Sequence, residues 1–336
     1  MTGLDSEPEA VSPASAAEWR AFLVKLVLFV AIAAAVWLAL DVVQNRLPYL
    51  TPGADVVSDK KFAILARRRL FGPADQVKVL AFGNSKTMAG IVPATFDQAA
   101  GAGVRLYNLG LPGRGDFLGV LKVALKSGNR PDYILLQIPW DQAKLNRTLQ
   151  DAIPSDHDTI QTLAPFRSLI RNLFVFEIEA RKHGGFSAAY RDAAADASSM
   201  LAQDGYYFIK AQSHYPHDQL PADYRLPTDT PTVVSPRQLQ PKGLDFAELR
   251  ALQRTYGFKV ILTPAPERVG EFAPPAARPD GLLPVPGAPG MFTLGPDYWL
   301  YPPDHFADPI HLNPPGAQLF SQRLGQMFGA AIGGRA

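Results

Sequence analysis

The sequence predicts an α/β protein: a three-layer domain built on a parallel sheet, preceded by one N-terminal transmembrane helix. Short apolar runs with β-branched residues recur along the chain, and helix-like segments separate them. Strands that alternate with helices form parallel sheets with helices on their faces. The third observation is a long uninterrupted apolar run near the N-terminus, which is typical of a membrane-spanning helix.

Composition excludes several classes of function. The 336 residues include 33 Lys and Arg against 31 Asp and Glu, a net charge of +2 without a concentrated basic face. We therefore expect no nucleic-acid partner. The chain has no cysteine, which excludes a disulfide framework, a thiolate nucleophile and a thiolate metal site.

The first element is the apolar run. Fifteen apolar residues extend from Leu26 to Leu40, and the stretch 21–43 is long enough, at about 1.5 Å per residue, to cross a hydrocarbon core of about 30 Å. Residues 1–20 form a polar tail before it. Trp19, Trp37 and Tyr49 suit the membrane interface.

Two other interpretations of this run are a buried core helix and a cleaved signal peptide. Asp5, Glu7 and Glu9 precede it and no clear A-x-A cleavage site follows, so the pattern favours an uncleaved signal anchor. Basic residues stand on both sides of the run, and the positive-inside rule leaves the topology open.

A juxtamembrane linker is expected over 44–76, followed by one domain over 77–330. Four runs have the length and composition of buried strands: Val77 to Phe82, Val104 to Leu109, Tyr133 to Ile138 and Lys259 to Thr263. Helices are expected between them over Pro93 to Ala102, Asp116 to Ser127 and Leu244 to Tyr256, and a further helix after Asn313.

Two stretches interrupt the alternation. The stretch 143–241 is polar, aromatic and rich in proline, and we interpret it as an insertion with one helix near Phe186 to Gln203. Pro264 to Pro309 is dense in proline and glycine, which predicts a loop or lid rather than regular structure.

Ser85 is the first candidate for chemistry. It follows the first predicted strand within Gly83-Asn84-Ser85, and ligands bind at the carboxyl ends of strands in open parallel sheets. The other interpretation of this serine is a cap or turn residue.

Asp308 and His311 are the second candidate. A carboxylate three residues before a histidine can bond one ring nitrogen and leave the other free as a general base. The two residues precede Asn313, a good N-cap for the last helix. The alternative is a loop histidine bonded to a nearby carboxylate.

The third candidate is the glycine block that follows the second predicted strand, from Asn108 through Gly113. Glycines between a strand and a helix can present backbone N–H groups to a developing oxyanion. The alternative is an ordinary glycine turn.

Together the three blocks resemble the SGNH (GDSL-type) hydrolase superfamily. In that family a Gly-Asp-Ser block follows the first strand, a block with Asn and glycines follows the second, and an Asp-x-x-His block lies near the C-terminus. Here FGNSKT, YNLGLPG and DPIHLN occur in that order over Val77 to Phe328. The resemblance implies a flavodoxin-like SGNH domain that needs no metal and no organic cofactor.

The resemblance implies that Ser85 is the nucleophile, His311 its base and Asp308 the residue that orients the histidine. The backbone N–H groups of Ser85 and Gly113 are then oxyanion donors. The sequence departs from the family at Trp140, which stands where an oxyanion-donating Asn is expected. Loss of one such donor typically costs about 10²–10³ in rate.

The resemblance is nearest to the membrane-anchored branch that modifies envelope polymers. It implies a serine esterase or O-acyltransferase acting on an acylated carbohydrate polymer or acyl donor. The domain is then extracytoplasmic and works beside other membrane proteins of a modification complex. The alternative function is an inactive binding or scaffold subunit of a polysaccharide assembly or export complex, which Trp140 favours.

Other residues are weaker candidates. Asp304 and His305 are rivals for the acid and base of the triad. His214 and His217 have the spacing of a metal pair but lack supporting carboxylates. Arg114 and Lys86 flank the oxyanion region and are candidates for binding an anionic substrate, or are simply solvated charges.

Overall fold

The computed structural model describes residues 16–47, 49–50, 55–67, 69–112, 117–138, 169–208, 213–225, 247–270, 281–296 and 299–333. Within these ranges the protein is α/β, with a mostly parallel central sheet and one long apolar helix at its N-terminal end. The coarse prediction of the fold class is therefore confirmed.

The described helices are α1 (Ala16–Arg46), α2 (Asp55–Arg67), α3 (Ser85–Gly90), α4 (Pro93–Ala100), α5 (Phe117–Lys126), α6 (Leu169–Ala180), α7 (Phe186–Ala202), α8 (Ala247–Tyr256) and α9 (Pro314–Gly333). The strands are β1 (Val77–Phe82), β2 (Val104–Asn108), β3 (Tyr133–Ile138), β4 (Lys259–Pro264), β5 (Pro266–Arg268), β6 (Leu283–Pro284), β7 (Met291–Thr293) and β8 (Trp299–Tyr301). The four predicted strands are confirmed to within one residue at each end.

The main sheet has the order β2-β1-β3-β4-β7-β6. Its first five strands are parallel, and only β6 runs antiparallel, beside β7. β5 and β8 form a separate parallel pair. Since neighbouring parallel strands must be joined by crossovers, the chain passes over the faces of the sheet, and the helices cover both of them.

Side chains of the strands alternate between two cores. On one face Leu80, Leu136 and Leu262 pack with α2, α5 and α8. On the other face Ala81 and Leu135 pack with α4 and α9. This alternation is the period of two expected of strands buried on both faces, and it gives the domain its three layers.

Helix α1 contains the predicted transmembrane stretch. Ala17–Leu40 is long and apolar enough to cross a membrane, and none of that span is buried inside the protein. A core helix would bury its apolar side chains, so this alternative is wrong. The span lies near the N-terminus, where a signal sequence would have the same length and composition.

The predicted linker contains part of the folded domain. Helix α2 lies within 44–76, and its Val56, Val57, Lys61 and Leu65 are fully buried. It packs on α5 and α7. Polar residues lie between these four residues in the sequence, and for this reason the stretch was predicted to be a linker.

The prediction of a loop or lid over Pro264 to Pro309 is wrong in part. Four short strands, β5 to β8, lie in this stretch, and β7 extends the main sheet by pairing with β4. Proline is tolerated at strand ends and edge positions, and strands of two or three residues carry no periodicity that a sequence can reveal. The prolines therefore coexist with regular structure.

The insertion contains more regular structure than expected. Helix α7 matches the helix predicted near Phe186 to Gln203, but α6 was not predicted. Tyr206 and Leu220 from the same stretch are buried in the core beneath α9. Residues 143–168, 209–212 and 226–241 of the insertion lie outside the described residues.

Candidate active site

The strand order marks one edge of the sheet for a ligand. In open parallel sheets, ligands bind outside the carboxyl ends of the strands at the point where the strand order reverses. The order reverses here between β1 and β3. Ser85 follows the last residue of β1 by three positions, so it lies at that edge.

The residues before Ser85 turn the chain from strand into helix. Asn84 is the N-cap of α3, and its Oδ1 accepts a hydrogen bond from the Lys86 N–H at 2.9 Å. Gly83 lies so close to Thr87 that a Cβ at this position would overlap the threonine hydroxyl. Ser85 is therefore fixed as the first residue of α3, as well as being the candidate nucleophile.

The histidine lies in a closed loop before α9. The His311 carbonyl accepts a hydrogen bond from the Ala307 N–H at 2.9 Å, and Leu312 bridges to Phe306. Asn313 caps α9 as predicted, since its Oδ1 accepts from the Gly316 N–H at 3.0 Å. The loop and the cap together hold the imidazole in place.

Ser85, His311 and Asp308 form one chain of hydrogen bonds. His311 Nε2 lies 2.8 Å from Ser85 Oγ, and His311 Nδ1 lies 2.7 Å from Asp308 Oδ2. Asp308 Oδ1 accepts from the N–H groups of Ile310 and His311, each at 2.8 Å. Both carboxylate oxygens are thus used, and the carboxyl group cannot rotate away from the ring.

The surroundings of Asp308 favour its charged form. Burial raises the pKa of this carboxyl, but hydrogen bonds from the His311 ring and from two backbone N–H groups outweigh it and hold the pKa below its ordinary value of 3.8. An ionised Asp308 accepts a hydrogen bond from His311 Nδ1–H, which leaves Nε2 as the acceptor for the Ser85 hydroxyl. This is the tautomer that a general base requires.

The rival pair does not join the serine. His305 Nδ1 lies 3.0 Å from Asp304 Oδ1, and both side chains are about one-third exposed. The backbone carbonyls of these two residues accept hydrogen bonds from Asn313 instead. Within the described ranges, the histidine that accepts the hydrogen bond of the Ser85 hydroxyl is His311.

Asn108 is buried beneath the site. Its side-chain amide donates to the carbonyls of Thr87 and Ile91, at 2.9 and 2.7 Å, and its Oδ1 accepts from the Gly110 N–H at 2.9 Å. It is fully buried. In the structure this side chain ties the glycine block to α3 and its C-cap, and its predicted role at the oxyanion or substrate stays a prediction.

Three predicted residues of the oxyanion region lie outside the described residues: Gly113, Arg114 and Trp140. The described part of the glycine block is packed tightly against α3. The Leu111 N–H donates to the Gly83 carbonyl at 3.0 Å, and a Cβ on Gly110 would lie 2.5 Å from the Met88 backbone nitrogen.

Lys61 is a residue near the site that the sequence did not reveal. It is fully buried, and its Nζ donates to the Gly110 carbonyl at 2.6 Å. Desolvation lowers its pKa well below the ordinary value of 10.5. The sequence does contain an indication of this burial. Val57, Lys61 and Leu65 are spaced by four residues, so the lysine lies on the same helix face as two apolar residues.

Two neighbouring residues of β5 support the triad, and no motif indicated them. Glu267 pairs with Lys86 at 2.8 Å, so this lysine is engaged in a partly buried ion pair next to the serine. Arg268 is buried, and its Nε donates to the Pro309 carbonyl at 3.0 Å. The arginine thereby braces the loop between Asp308 and His311.

Two exposed apolar side chains lie next to residues of the site along the chain. Ile310, between Asp308 and His311, is 52% exposed, and Val269, next to Arg268, is 51% exposed. Ser85 itself is half-buried.

His214 and His217 are both exposed, and His217 has a left-handed backbone with φ of 58°. Among the described residues, no three His, Asp or Glu side chains cluster closely enough to hold a metal ion. No protein-family model, curated protein or solved structure matches this chain.

Proposed function

We propose that the protein is a serine esterase or O-acyltransferase that acts through Ser85, His311 and Asp308. The observation that carries this proposal is the unbroken hydrogen-bond chain from Asp308 through His311 to Ser85, between residues 226 positions apart. Ion pairs and caps account for buried Asp–His contacts in many proteins. A serine hydroxyl on the second ring nitrogen, at the ligand-binding edge of a parallel sheet, is typical of nucleophilic catalysis.

In the proposed reaction, Ser85 Oγ attacks an acyl carbonyl while His311 Nε2 takes its proton. The tetrahedral intermediate then expels the alcohol, which receives that proton from His311, and an acyl-serine remains. Water or a sugar hydroxyl attacks the acyl-serine in the same way, and Ser85 regains its proton. Asp308 stabilises the imidazolium in both halves.

The backbone supplies the proposed oxyanion donors. The N–H groups of Lys86, Thr87 and Met88 are all bonded to Asn84, through its side chain or its carbonyl. The N–H of Ser85 then remains for the oxyanion, together with Gly113 by the resemblance to the SGNH family. Exposed Ile310 and Val269 supply apolar surface for the acyl group.

The finer fold and location belong to the same proposal. The parallel order β2-β1-β3-β4-β7, with the serine after β1 and the histidine before the last helix, supports an SGNH-like, flavodoxin-like domain. The exposed apolar span of α1 supports a single-pass membrane anchor. We propose an extracytoplasmic domain whose substrate is an acylated carbohydrate polymer of the envelope or its acyl donor, with other membrane proteins as partners.

The experiment is labelling of the full-length protein in detergent with a fluorophosphonate, which reacts with activated serines. We expect labelling of the wild type and its loss in Ser85→Ala and His311→Ala. His305→Ala is the matched control, because it removes the histidine of the rival pair and should leave labelling unchanged.

Absence of labelling in the folded wild type would contradict the enzyme and favour the alternative, a binding or scaffold subunit of a polysaccharide complex. The sequence observation behind this alternative is Trp140 in place of the expected oxyanion Asn. Loss of labelling in His305→Ala but not in His311→Ala would assign the base to the rival pair.

A further inference from the structure

Helix α6 has two apolar faces. Phe176 and Ala180 are buried against α1 and α7. Phe174, Val175 and Ile178 are 69, 39 and 44% exposed. Residues three and four apart share one side of a helix, so these three form a single outer face, here called the α6 outer face.

The contacts of α6 fix its level along α1. Phe176 and Ala180 share a cluster with Leu40 and Val43 of α1 and with Leu47, the residue that follows this helix. The apolar span of α1 ends at Leu40, and the helix rises only about 10 Å from there to Leu47. Since the polar layer on each side of a bilayer is about 5–8 Å thick, α6 contacts α1 at the depth of the headgroups.

The chemistry of the α6 outer face fits that depth. Three large apolar side chains are unfavourable in water but are stabilised where a helix lies at the boundary of headgroups and acyl chains. Charged residues border this face: Arg181 and Lys182 follow α6 and are exposed, and Arg181 pairs with Glu177 of α6 at 3.7 Å. Helices at this boundary carry polar and charged residues beside an apolar face.

We propose that the α6 outer face inserts into the headgroup–acyl boundary of the membrane that α1 crosses. The proposal rests on the proposed function only in that α1 must span a bilayer. The two apolar surfaces are continuous, because the exposed apolar surface of α1 leads directly into the cluster that holds α6.

This second contact orients the active site. A single helix leaves the domain free to rotate and tilt, whereas a helix beside it in the interface fixes the tilt. Helix α6 packs on α7, and α7 shares a cluster with Met88 of α3, the helix that begins at Ser85. The serine therefore has a set orientation relative to the membrane surface.

The test uses the absence of cysteine from the chain. Single cysteines replace Phe174 or Ile178 in the full-length protein, carry a fluorescent bimane, and are reconstituted in phosphatidylcholine vesicles. Some of the lipid carries a nitroxide quencher near the top of its acyl chain. Ala33→Cys in the middle of α1 reports insertion of the anchor, and Thr255→Cys on the exposed side of α8 is the control in water.

We expect the nitroxide lipid to reduce fluorescence at positions 174, 178 and 33, and to leave position 255 unchanged. Quenching at 33 with none at 174 and 178 overturns the inference and leaves the anchor intact. Absence of quenching at 33 overturns the anchor, and the inference with it. The substituted side chains are exposed, so we expect the variants to fold as the wild type does. An unchanged thermal midpoint checks this.

Discussion

Asp308 illustrates how much of the site depends on single hydrogen bonds. Its two oxygens accept three bonds, two from backbone N–H groups and one from the His311 ring. These hydrogen bonds stabilise the ionised carboxylate in the folded protein. The ionised form therefore adds to the free energy of unfolding. Its ionisation therefore links stability to pH.

The first prediction concerns this linkage. Because the pKa of Asp308 is lowered below 3.8 in the folded protein, its stabilisation is complete above pH 3.8 and is lost as the pH falls through the lowered value. Asp308→Asn has no carboxyl group to protonate at this position. We therefore expect its free energy of unfolding to fall less than that of the wild type as the pH falls below 3.8. The measurement is the free energy of unfolding in urea as a function of pH, for both proteins.

Two parallel curves below pH 3.8 would contradict this prediction.

The variant Asp308→Asn also tests the orientation of the His311 ring, since an amide places a donor where Nδ1–H needs an acceptor. We expect the rate of fluorophosphonate labelling to fall by about 10⁴-fold. Asp304→Asn is the control and should label at the wild-type rate.

Lys61 is the second residue with a measurable consequence. Its lowered pKa means that the unfolded chain holds a proton that the folded chain releases, so stability rises with pH up to 10.5. We expect Lys61→Met to remove this rise, at most about 1.4 kcal/mol per pH unit for one proton.

Chemical denaturation at several pH values from neutral upward measures the slope. Lys60→Met is the matched control, because this neighbour is half-buried and lies over the Tyr49 ring rather than in the core. A slope that persists in Lys61→Met would show that another group carries it.

Among the elements, the last helix packs on α4 through two glycines. Helix α9 packs on α4 so closely that a Cβ on Gly325 would lie 2.5 Å from the Phe96 carbonyl oxygen. Gly329 makes the same approach one turn later, to the Ala100 carbonyl. The spacing of four residues keeps both glycines on one face of the helix.

We predict that Gly325→Ala destabilises the protein by about 1–3 kcal/mol, because the methyl group meets backbone rather than a movable side chain. Gly333→Ala, at the end of the same helix, has open space around the added Cβ and should be neutral. Thermal unfolding of the two variants makes the comparison. Equal midpoints would mean that α9 shifts without cost.

At the scale of the whole molecule, the domain begins before its first strand. Val56, Val57 and Leu65 of α2 are fully buried among residues of α3, α5 and α7. A fully buried Val or Leu side chain contributes about 1.5–3 kcal/mol. Removal of three such residues approaches the whole stability of a typical domain, about 5–15 kcal/mol.

We therefore predict that a chain beginning at Tyr49 unfolds cooperatively, whereas a chain beginning at Gln76 does not. The second chain matches the predicted domain boundary at Val77, and the first adds α2. Urea unfolding followed by circular dichroism distinguishes them. Equal midpoints would show that α2 is dispensable and that the predicted boundary is the physical one.

Local patterns in the sequence were enough to predict several elements of the fold. Apolar runs of strand length predicted β1 to β4, and the uninterrupted run from Leu26 to Leu40 predicted α1. The order of three motifs along the chain also predicted the candidate catalytic residues Ser85, Asp308 and His311. A period of two or of 3.6, a cap and a motif are all properties of neighbouring residues.

Which distant groups meet depends on the tertiary structure. Strand β7 is regular because β4 supplies its hydrogen bonds, and the buried Lys61 ammonium group has a partner because the Gly110 carbonyl accepts its hydrogen bond. The motif placed Asn108 near the oxyanion, and the structure adds that its amide donates to the carbonyls of Thr87 in α3 and of Ile91, the C-cap of that helix. Strand pairing and the burial of polar groups depend on residues that are distant in the sequence. A pattern of neighbouring residues therefore cannot predict them.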